Sequence, residues 1–494
     1  MTLDPDQTRR AGTTMKPAGK PASNTEQPNN ASCLYPPTIT PPDAPLPILK
    51  FIRTFPRNPL LAMPKAAYHD DIFVYRFRKF VYVWVTGPAM VEQTLVKHAG
   101  DLSKTPQEKR ILGGLVGDSV LTADHDTWRW QRRALARLFR HSELLNHVPA
   151  MVQATDTLTS RWRAAGSCIS AIDTDMTNVT FDVIMNTLLT GSEISEAETI
   201  IGAGQRYLSK APWELVYTIL QLPRWLPHPG TWTLRQSARE LRAAVGAIVD
   251  RRTNGLANVS DRNDDKDHAL TTDMLGRLIA AQDPETGRPM DREQIINNLL
   301  TLLEAGHETT AKALTWTLYL LARSPDWQHR VRDEIRTVTS GNPIAPSHID
   351  QLVVTTRVLK EAMRLYPPAP VIARAVENPI TLGVHRFDRG TQLIMPLFCI
   401  HRHRKYWADP DRFDPDRFLP ENEMGRPRTQ YMPFGAGPRI CIGQSFAMIE
   451  AVTLLATFLR DFEFIWDGQH KPEPVSRITL HPSGGMPLGV RTVR

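Results

Sequence analysis

The sequence has little cysteine: four residues in 494, at positions 33, 168, 399 and 441, with no C-x-x-C pair. This spacing indicates neither a zinc site nor a disulfide framework, so we expect a reduced, cytoplasmic protein. No run of 18 or more apolar residues occurs, and Met1 to Lys20 lacks the apolar core of a secretory signal. We therefore predict a soluble chain without a transmembrane segment.

An excess of one charge is also missing. The chain has 59 Lys and Arg against 52 Asp and Glu, a net charge of +7, and its basic residues are scattered. This distribution argues against a nucleic-acid partner, although a local basic face could still dock an acidic protein. Because 41% of the residues are hydrophobic, disorder over the whole length is excluded.

The first 45 residues differ in composition from the rest of the chain. Residues 1–45 are rich in Pro, Thr, Ser, Asn and Gln and nearly free of aromatic residues, which predicts a disordered tail. Met15 is an alternative start. No composition break divides residues 46–494, so we predict one large domain there rather than three small ones.

Hydrophobic periodicity predicts a mainly α domain with a small β-sheet region near both ends. Nearly every long segment between Thr127 and Asn378 has helical spacing, and Ala89 to Lys97 forms a further helix. Runs rich in β-branched and aromatic residues predict the short strands, which are Ile72 to Phe77 and Phe80 to Val85 as a hairpin, Ile380 to Val384, Leu393 to Pro396, Ile478 to Leu480 and Leu488 to Arg491.

Cys441 lies just before a predicted helix, Gln444 to Phe458. At a helix N-terminus the dipole and the unpaired N–H groups favour a thiolate, which is a good metal ligand. Glycines in the segment Phe434 to Gly443 would let the backbone approach a large flat group, and Arg439 offers a positive charge to an acid group. A haem with its propionates fits this description. A lone cysteine is more often a small buried hydrophobe, but ten residues of pattern favour the ligand.

This segment resembles the signature of the cytochrome P450 family, F-x-x-G-x-R-x-C-x-G, which is matched by Phe434, Gly437, Arg439, Cys441 and Gly443. The resemblance covers residues 46–494 and implies the cytochrome P450 fold, a mainly α haem domain. It also implies that the Cys441 thiolate binds the iron of haem b.

Two charged residues one helical turn apart, Glu361 and Arg364, form an E-x-x-R pattern. Such a pair is usually a solvated ion pair. The resemblance implies instead that both join Arg417, from Pro415 to Phe418, in a buried structural network.

A long predicted helix, Asp291 to Ala322, contains the segment Ala305 to Thr310. Acidic and basic residues at positions 304, 308 and 312 could form a charged outer stripe, yet apolar residues on nearly every side favour a buried helix. The Thr309 hydroxyl can bond a carbonyl one turn back and open a notch. The resemblance implies an oxygen-binding groove in which Glu308 and Thr309 deliver protons.

Trp128 and Arg132 share a helix face at i, i+4 spacing. Taken alone they are best explained as a surface cation–π pair. The resemblance implies that both bind the haem propionates, and that Arg374 does so too.

These features together predict a monooxygenase that inserts one oxygen atom from O2 into a lipophilic small molecule. No G-x-G-x-x-G follows a strand, so the electrons are expected from an external ferredoxin or flavin-type reductase. A cluster of arginines would dock this partner or form a solvated face: Arg129, Arg132, Arg133, Arg137 and Arg140. Two alternatives remain, namely a peroxide-using or rearranging enzyme and a non-catalytic haem protein.

The resemblance also implies which segments form the substrate pocket: a loop around Arg110 to Val116, the helices around Ala203 to Trp225, the groove helix, Pro368 to Ile372 and the turn Gly484 to Pro487. The apolar residues between Trp213 and Trp225 would contact a lipophilic guest or a membrane, although ordinary helix packing explains them equally well.

Overall fold

A computed structural model describes residues 33–77, 80–189, 194–219, 222–223, 225–259, 274–283 and 285–493. Contacts between residues group the chain into two units, residues 1–33 and residues 34–494, and the second unit is the folded domain. Most of the predicted tail, residues 1–32, lies outside the described residues.

Helices dominate the described residues, as predicted. The α-helices are α1 Ile48–Thr54, α2 Pro88–Glu92, α3 Pro106–Val116, α4 His125–Ala136, α5 His141–Leu144, α6 Val148–Gln153, α7 Asp156–Ala165, α8 Ile172–Leu188, α9 Ile194–Ile219, α10 Thr231–Val259, α11 Met274–Ile279, α12 Arg292–Ala322, α13 Pro325–Thr339, α14 Val353–Leu365, α15 Leu397–Ile400, α16 Pro420–Glu423 and α17 Gln444–Asp461. No helix in the described ranges is both long enough and apolar enough to cross a membrane.

Short strands form four small sheets in the described part of the chain. The strands are β1 Ile72–Phe77, β2 Phe80–Val85, β3 Leu102–Ser103, β4 Ser167–Ala171, β5 Ile372–Val376, β6 Ile380–Leu382, β7 His385–Phe387, β8 Gln392–Met395, β9 Phe462–Ile465, β10 Pro474–Ser476, β11 Leu480–Pro482 and β12 Pro487–Thr492. The largest sheet has the order β1-β2-β8-β5-β3, and a second joins β4, β12 and β9. The sheet region near both ends of the domain is thus confirmed.

The predicted hairpin is confirmed, since Ile72 pairs with Val85 and Val74 with Val83. Two other local predictions need correction. The helix predicted over residues 89–97 ends at Glu92 and continues as a wider π-type turn from Gln93 to Lys97. Strands β4 and β5 interrupt the segment predicted as helical from 127 to 378, because strands of five residues carry too little periodic signal.

Residues 34–45, predicted as the end of a disordered tail, instead contact the helical body. Ile39 is 4% exposed and belongs to the main apolar core. The Pro37 carbonyl accepts a hydrogen bond from Tyr366 Oη (2.7 Å), and the Leu34 carbonyl accepts one from the Phe413 backbone (2.9 Å). For these residues the structure differs from the prediction, because proline fixes an extended backbone that can follow a surface without regular structure.

Helix α12 runs through the main core and positions the groove segment. Asp291 caps it by accepting from the Gln294 backbone, while the Gln294 side chain accepts from the Asp291 backbone. Most of its residues are buried, including Glu304 and Lys312. The alternative of a charged outer stripe is therefore wrong, and the prediction of a buried helix is confirmed.

The E-x-x-R pair is a buried network, as the resemblance implied. Arg364 donates to both carboxylate oxygens of Glu361 at 2.7 and 2.8 Å, and neither side chain has any exposed surface. Arg417 Nε lies 3.5 Å from Glu361 Oε1. Arg364 also donates to three backbone carbonyls of the segment that follows α15, those of His401, Pro410 and Arg412. The network thereby fixes the chain that leads to the Cys441 loop.

Candidate functional site

An internal cavity of about 670 Å³ lies between α12 and the loop before α17. Its lining includes Thr309 from α12 and Cys441 from that loop. Ala305 has exposed surface although most of the surrounding helix is buried, and it too lines the cavity. Cys441 likewise has exposed surface within the protein interior. The sequence-predicted metal ligand and the predicted groove therefore border one space.

The loop that carries Cys441 depends on two glycines with positive φ, Gly435 at 78° and Gly437 at 74°. A Cβ on Gly437 would lie 1.9 Å from the Leu95 carbonyl oxygen, so only glycine fits there. The Cys441 backbone N–H donates to the Phe434 carbonyl at 2.9 Å, which closes the loop. Gly443 is the N-cap of α17, and Phe434 lines the cavity.

The Cys441 thiol lies at the start of α17, as predicted, but its environment does not favour the thiolate. Burial raises its pKa, while a hydrogen bond from the Gly443 backbone and the positive charge of Arg132 act in the opposite direction and are weaker. The helix N-terminus alone therefore does not ionise this thiol. Coordination to a metal cation would do so, because it deprotonates a thiol outright.

Hydroxyl groups bond the backbone of α12 beside the cavity. Thr309 Oγ1 donates to the Ala305 carbonyl at 2.8 Å, one turn back as predicted. Thr310 Oγ1 makes the same bond to Gly306 at 3.1 Å. A Cβ on Gly306 would lie 2.8 Å from Ile184 Cδ1, so glycine here permits the close approach of α8. The Thr309 hydroxyl is thus held at the cavity wall.

Glu308 faces away from the groove that its neighbour lines. Its Oε1 lies 3.2 Å from His481 Nε2 in β11, and Glu308 is absent from the cavity lining. Burial would raise the pKa of Glu308, but the hydrogen bond and charge of His481, with the charges of Lys312 and His307, outweigh burial and lower it. The structure therefore presents Glu308 as a carboxylate. Among the described residues it makes no hydrogen bond to Thr309.

The residues predicted to hold propionates line one edge of the cavity. Trp128, Arg132, Arg374 and Arg439 all line it. The Arg439 guanidinium lies 4.6 Å from the centre of the Trp128 ring and donates to Asp124 Oδ1 at 2.9 Å. The surface cation–π explanation of Trp128 and Arg132 is wrong, because Trp128 pairs with Arg439 and Arg132 faces Cys441.

The charge of this lining supports an anionic ligand. Within the described residues the charged lining side chains are Lys104, Arg132, Arg374, Arg439, Arg477 and a single carboxylate, Glu108. Burial lowers the pKa of Lys104, Arg374 and Arg439, so water does not stabilise these cations well. Two carboxylates of a bound haem would supply the missing negative charge, and the edge therefore fits its propionates.

Lys104 and Glu108 are site residues that sequence reasoning missed. Lys104 is 8% exposed, and its Nζ lies 2.5 Å from Glu108 Oε1. Glu108 is in the first turn of α3, which is capped by Thr105 with Pro106 at its first position. The T-P-x-E pattern was the available signal for a helix start here. The predicted loop around Arg110 to Val116 is consequently a helix.

The predicted pocket walls are partly confirmed. Segment Pro368 to Ile372 and the groove helix line the cavity, as do Ile111 and Leu112 of α3. The turn Gly484 to Pro487 does not, and Ser476 to Ile478 takes its place.

No described residue between Ala203 and Trp225 lines the cavity, so that prediction is wrong for the residues that can be placed. Trp225 is 80% exposed and Val216 is buried in the packing of α9. Leu220 and the side chains of Leu215 and Ile219 lie outside the described residues.

Other residues of the lining come from the N-terminal part of the domain and were not predicted. They include Phe51 of α1, Phe55 directly after α1, and Tyr82 and Trp84 of β2. The wall of the cavity is therefore mostly apolar and aromatic.

Comparison with known proteins agrees with this geometry. The family model named Cytochrome P450 matches residues 41–488. Cytochrome P450 72A13 of Arabidopsis thaliana is 30% identical over 390 residues, which cover 76% of this chain and 73% of that protein. A cytokinin hydroxylase of the same plant is 29% identical over 412 residues, covering 82% and 77%. The chain therefore belongs to the cytochrome P450 family, whose members bind haem b through a cysteine thiolate and act as monooxygenases.

Proposed function

We propose that this chain inserts one oxygen atom from O2 into a lipophilic small molecule, using electrons from an external ferredoxin or flavin-type reductase. The observation that carries the proposal is that Cys441 and Thr309, from two separate elements, line the same apolar cavity. A thiolate-bound haem in that cavity supplies the reductive activation of dioxygen.

Each predicted site residue has a part in this proposal. Cys441 binds the iron, and Gly443 and Phe434 fix the loop that presents its sulfur. Trp128, Arg132, Arg374 and Arg439 bind the propionates at the cationic edge of the cavity.

Thr309 and Glu308 supply protons in this proposal. The Thr309 hydroxyl stands at the cavity wall, where its proton bonds the Ala305 carbonyl and its oxygen can accept a hydrogen bond from a ligand inside; rotation of the side chain would let it donate to that ligand instead. Glu308 is ionised and directly precedes Thr309 in α12. Rotation of the Glu308 side chain would therefore carry a proton that it has accepted toward the Thr309 hydroxyl.

The lipophilic character of the substrate follows from the cavity wall. The apolar side chains of α1, β2, α3 and the segment 368–372 leave few polar groups to bind a hydrophilic guest. A panel of fatty acids, terpenoids and aromatic compounds, screened by the shift of the haem absorption band, would test this. Binding confined to sugars or nucleotides would contradict the proposal.

The electron donor is proposed to dock on the arginines around α4. Arg129, Arg137 and Arg140 are exposed, and of these Arg129 also pairs with Asp126 and Arg140 with Glu143, while the half-buried Arg133 pairs with Asp283 and Glu285. Arg132 faces the cavity and no longer belongs to the docking group. Reduction by a ferredoxin should slow as salt rises, and R129E together with R137E should slow it further. Rates independent of salt would contradict docking at this face.

The proposed ligand and the reaction class can be tested on the purified protein. The reduced carbon monoxide complex should show the red-shifted Soret peak of a thiolate ligand, and C441S should abolish it. Turnover with NAD(P)H and a ferredoxin or flavoprotein should exceed turnover with hydrogen peroxide. The reverse order would favour a peroxide-using enzyme, and no turnover with either would favour a haem protein without catalysis. Cytoplasmic localisation stays a prediction.

A further inference from the structure

His481 contacts Glu308 at a point away from the cavity. Its Nε2 lies 3.2 Å from Glu308 Oε1 and 2.9 Å from Thr479 Oγ1, and none of these three residues lines the cavity. We propose that His481 is the proton relay that reloads Glu308 from solvent. This inference rests on the proposed role of Glu308 and Thr309 and extends it to the protein surface.

The two ring nitrogens of His481 face different surroundings. Nε2 is directed at the Glu308 carboxylate. No group in the described ranges hydrogen-bonds Nδ1, and Nδ1 is not among the enclosed polar atoms that lack a partner, so it is open to water. The His481 side chain is 25% exposed and that of Glu308 12%. The imidazole is therefore the more exposed partner of this pair and lies between solvent and a largely enclosed carboxylate.

The other charged groups around Glu308 cannot take this part. His307 is 5% exposed and its Nδ1 bonds the Leu303 carbonyl at 2.7 Å, so it is enclosed away from solvent. Lys312 is 6% exposed and has no ion pair within 4.0 Å among the described residues. Burial lowers the pKa of Lys312.

Two charges on neighbouring elements complete the surroundings. Asp173, at the start of α8, accepts from the Met486 backbone at 2.8 Å and attracts Lys312. Arg477, which precedes β11, repels Lys312 and lines the cavity. On α12 itself, Glu304 lies one turn away, and the charge of Glu308 helps burial to raise the pKa of Glu304. Among the placed residues only His481 both contacts Glu308 and reaches solvent.

The relay moves one proton and no electrons. A proton from water binds Nδ1 and makes the ring a cation, and the proton on Nε2 then passes to the Glu308 carboxylate, which leaves a neutral carboxyl and a neutral ring protonated at Nδ1. Rotation of the ring then brings Nε2 to water, and exchange of one proton at each nitrogen restores the first tautomer. Imidazole suits this step because it ordinarily gains and loses a proton between pH 5 and 8, whereas lysine would remain a fixed cation.

Two substitutions separate a relay from a fixed charge partner. His481→Gln keeps a donor for Glu308 but cannot titrate, and His481→Lys keeps a positive charge but holds its proton at neutral pH. With saturating reductase and substrate, both variants should form product about tenfold more slowly near pH 7 and show a larger solvent isotope effect. His470→Gln is the matched control, because His470 lies in the preceding loop, bonds the Gly485 carbonyl at 3.0 Å and does not contact Glu308.

The outcomes distinguish this inference from the proposed function. Wild-type rates in H481K would show that only a charge is needed and would overturn the relay, as would wild-type rates in H481Q. If E308Q and T309A also retain full coupling of electrons to product, the proposed function itself fails. Slow product formation in H481Q, H481K and E308Q would support both the relay and the proposed function.

Infrared spectroscopy tests the contact without turnover. The carboxyl band of protonated Glu308, assigned by its loss in E308Q, should appear at a higher pH in H481Q than in the wild type. The reason is that His481 lowers the pKa of Glu308. An unchanged titration of this band would overturn the contact on which the relay depends.

Discussion

Replacing Glu304 by glutamine should stabilise the protein relative to the wild type. This gain in the free energy of unfolding should be larger at neutral pH than at acidic pH. Both carboxylate oxygens of Glu304 are enclosed without a hydrogen-bond partner among the described residues. They face Gly204 of α9, where a Cβ would lie 2.7 Å from either oxygen. Burial, followed by the charge of Glu308, raises the pKa of Glu304 to about 8.

The sign and size of the effect follow from proton linkage. Between the unfolded pKa of 4.5 and the folded pKa of about 8, the unfolded chain releases the Glu304 proton while the folded chain keeps it. The free energy of unfolding therefore falls as pH rises, by about 1.4 kcal/mol per pH unit from this group. Glutamine does not ionise, so E304Q should gain about 2 to 3 kcal/mol over the wild type between about pH 5.5 and 7.5.

Chemical denaturation of fully haem-loaded wild type and E304Q, followed by circular dichroism across this pH range, would measure the difference. Glu421→Gln is the control, because Glu421 is exposed on α16 and should show no such dependence. A stability difference between E304Q and the wild type that does not change with pH would refute the reasoning, since Glu304 would then ionise in the folded protein as readily as in the unfolded chain.

Three further substitutions test the site and its support. G437A should abolish the thiolate Soret signal because its Cβ would clash with the Leu95 carbonyl, and G166A, which has a similar positive φ of 64° but no neighbour within 4 Å, should keep it. R364M should lower the free energy of unfolding by about 3 to 5 kcal/mol, seen as a fall in Tm, since Glu361 loses its buried partner; wild-type stability would contradict the network. R374Q should release haem to apomyoglobin about tenfold faster through loss of one charge-assisted hydrogen bond, whereas an unchanged rate would remove Arg374 from the propionate site.

Features written within a short stretch of sequence could be predicted. The Cys441 loop and α12 are examples, because glycine positions, caps and periodicity are local. The β1–β2 hairpin is another, since its two strands are adjacent in the chain. The resemblance to the cytochrome P450 family also implied that Thr309 and Cys441 would border one site.

Features that depend on distant packing could not be predicted. His481 is 173 residues from Glu308 in the chain, and no pattern connects the two. The apolar face of α9 gave no indication of whether it meets the cavity or a neighbouring helix. The helix dipole at Cys441 is visible in the sequence, but the burial that opposes it is not. Each of these outcomes is decided by which elements meet in space.

Because a cavity separates α12 from the Cys441 loop, binding of the cofactor in that cavity is coupled to the folding equilibrium. The cavity volume of about 670 Å³ interrupts the main core, and a ligand that fills it stabilises only the folded chain. Each tenfold rise of free haem above its dissociation constant then adds about 1.4 kcal/mol to the stability. A cell that synthesises this polypeptide faster than porphyrin and iron arrive would accumulate a loosened apoprotein exposed to proteases, so the yield of active enzyme would follow haem supply rather than transcript level.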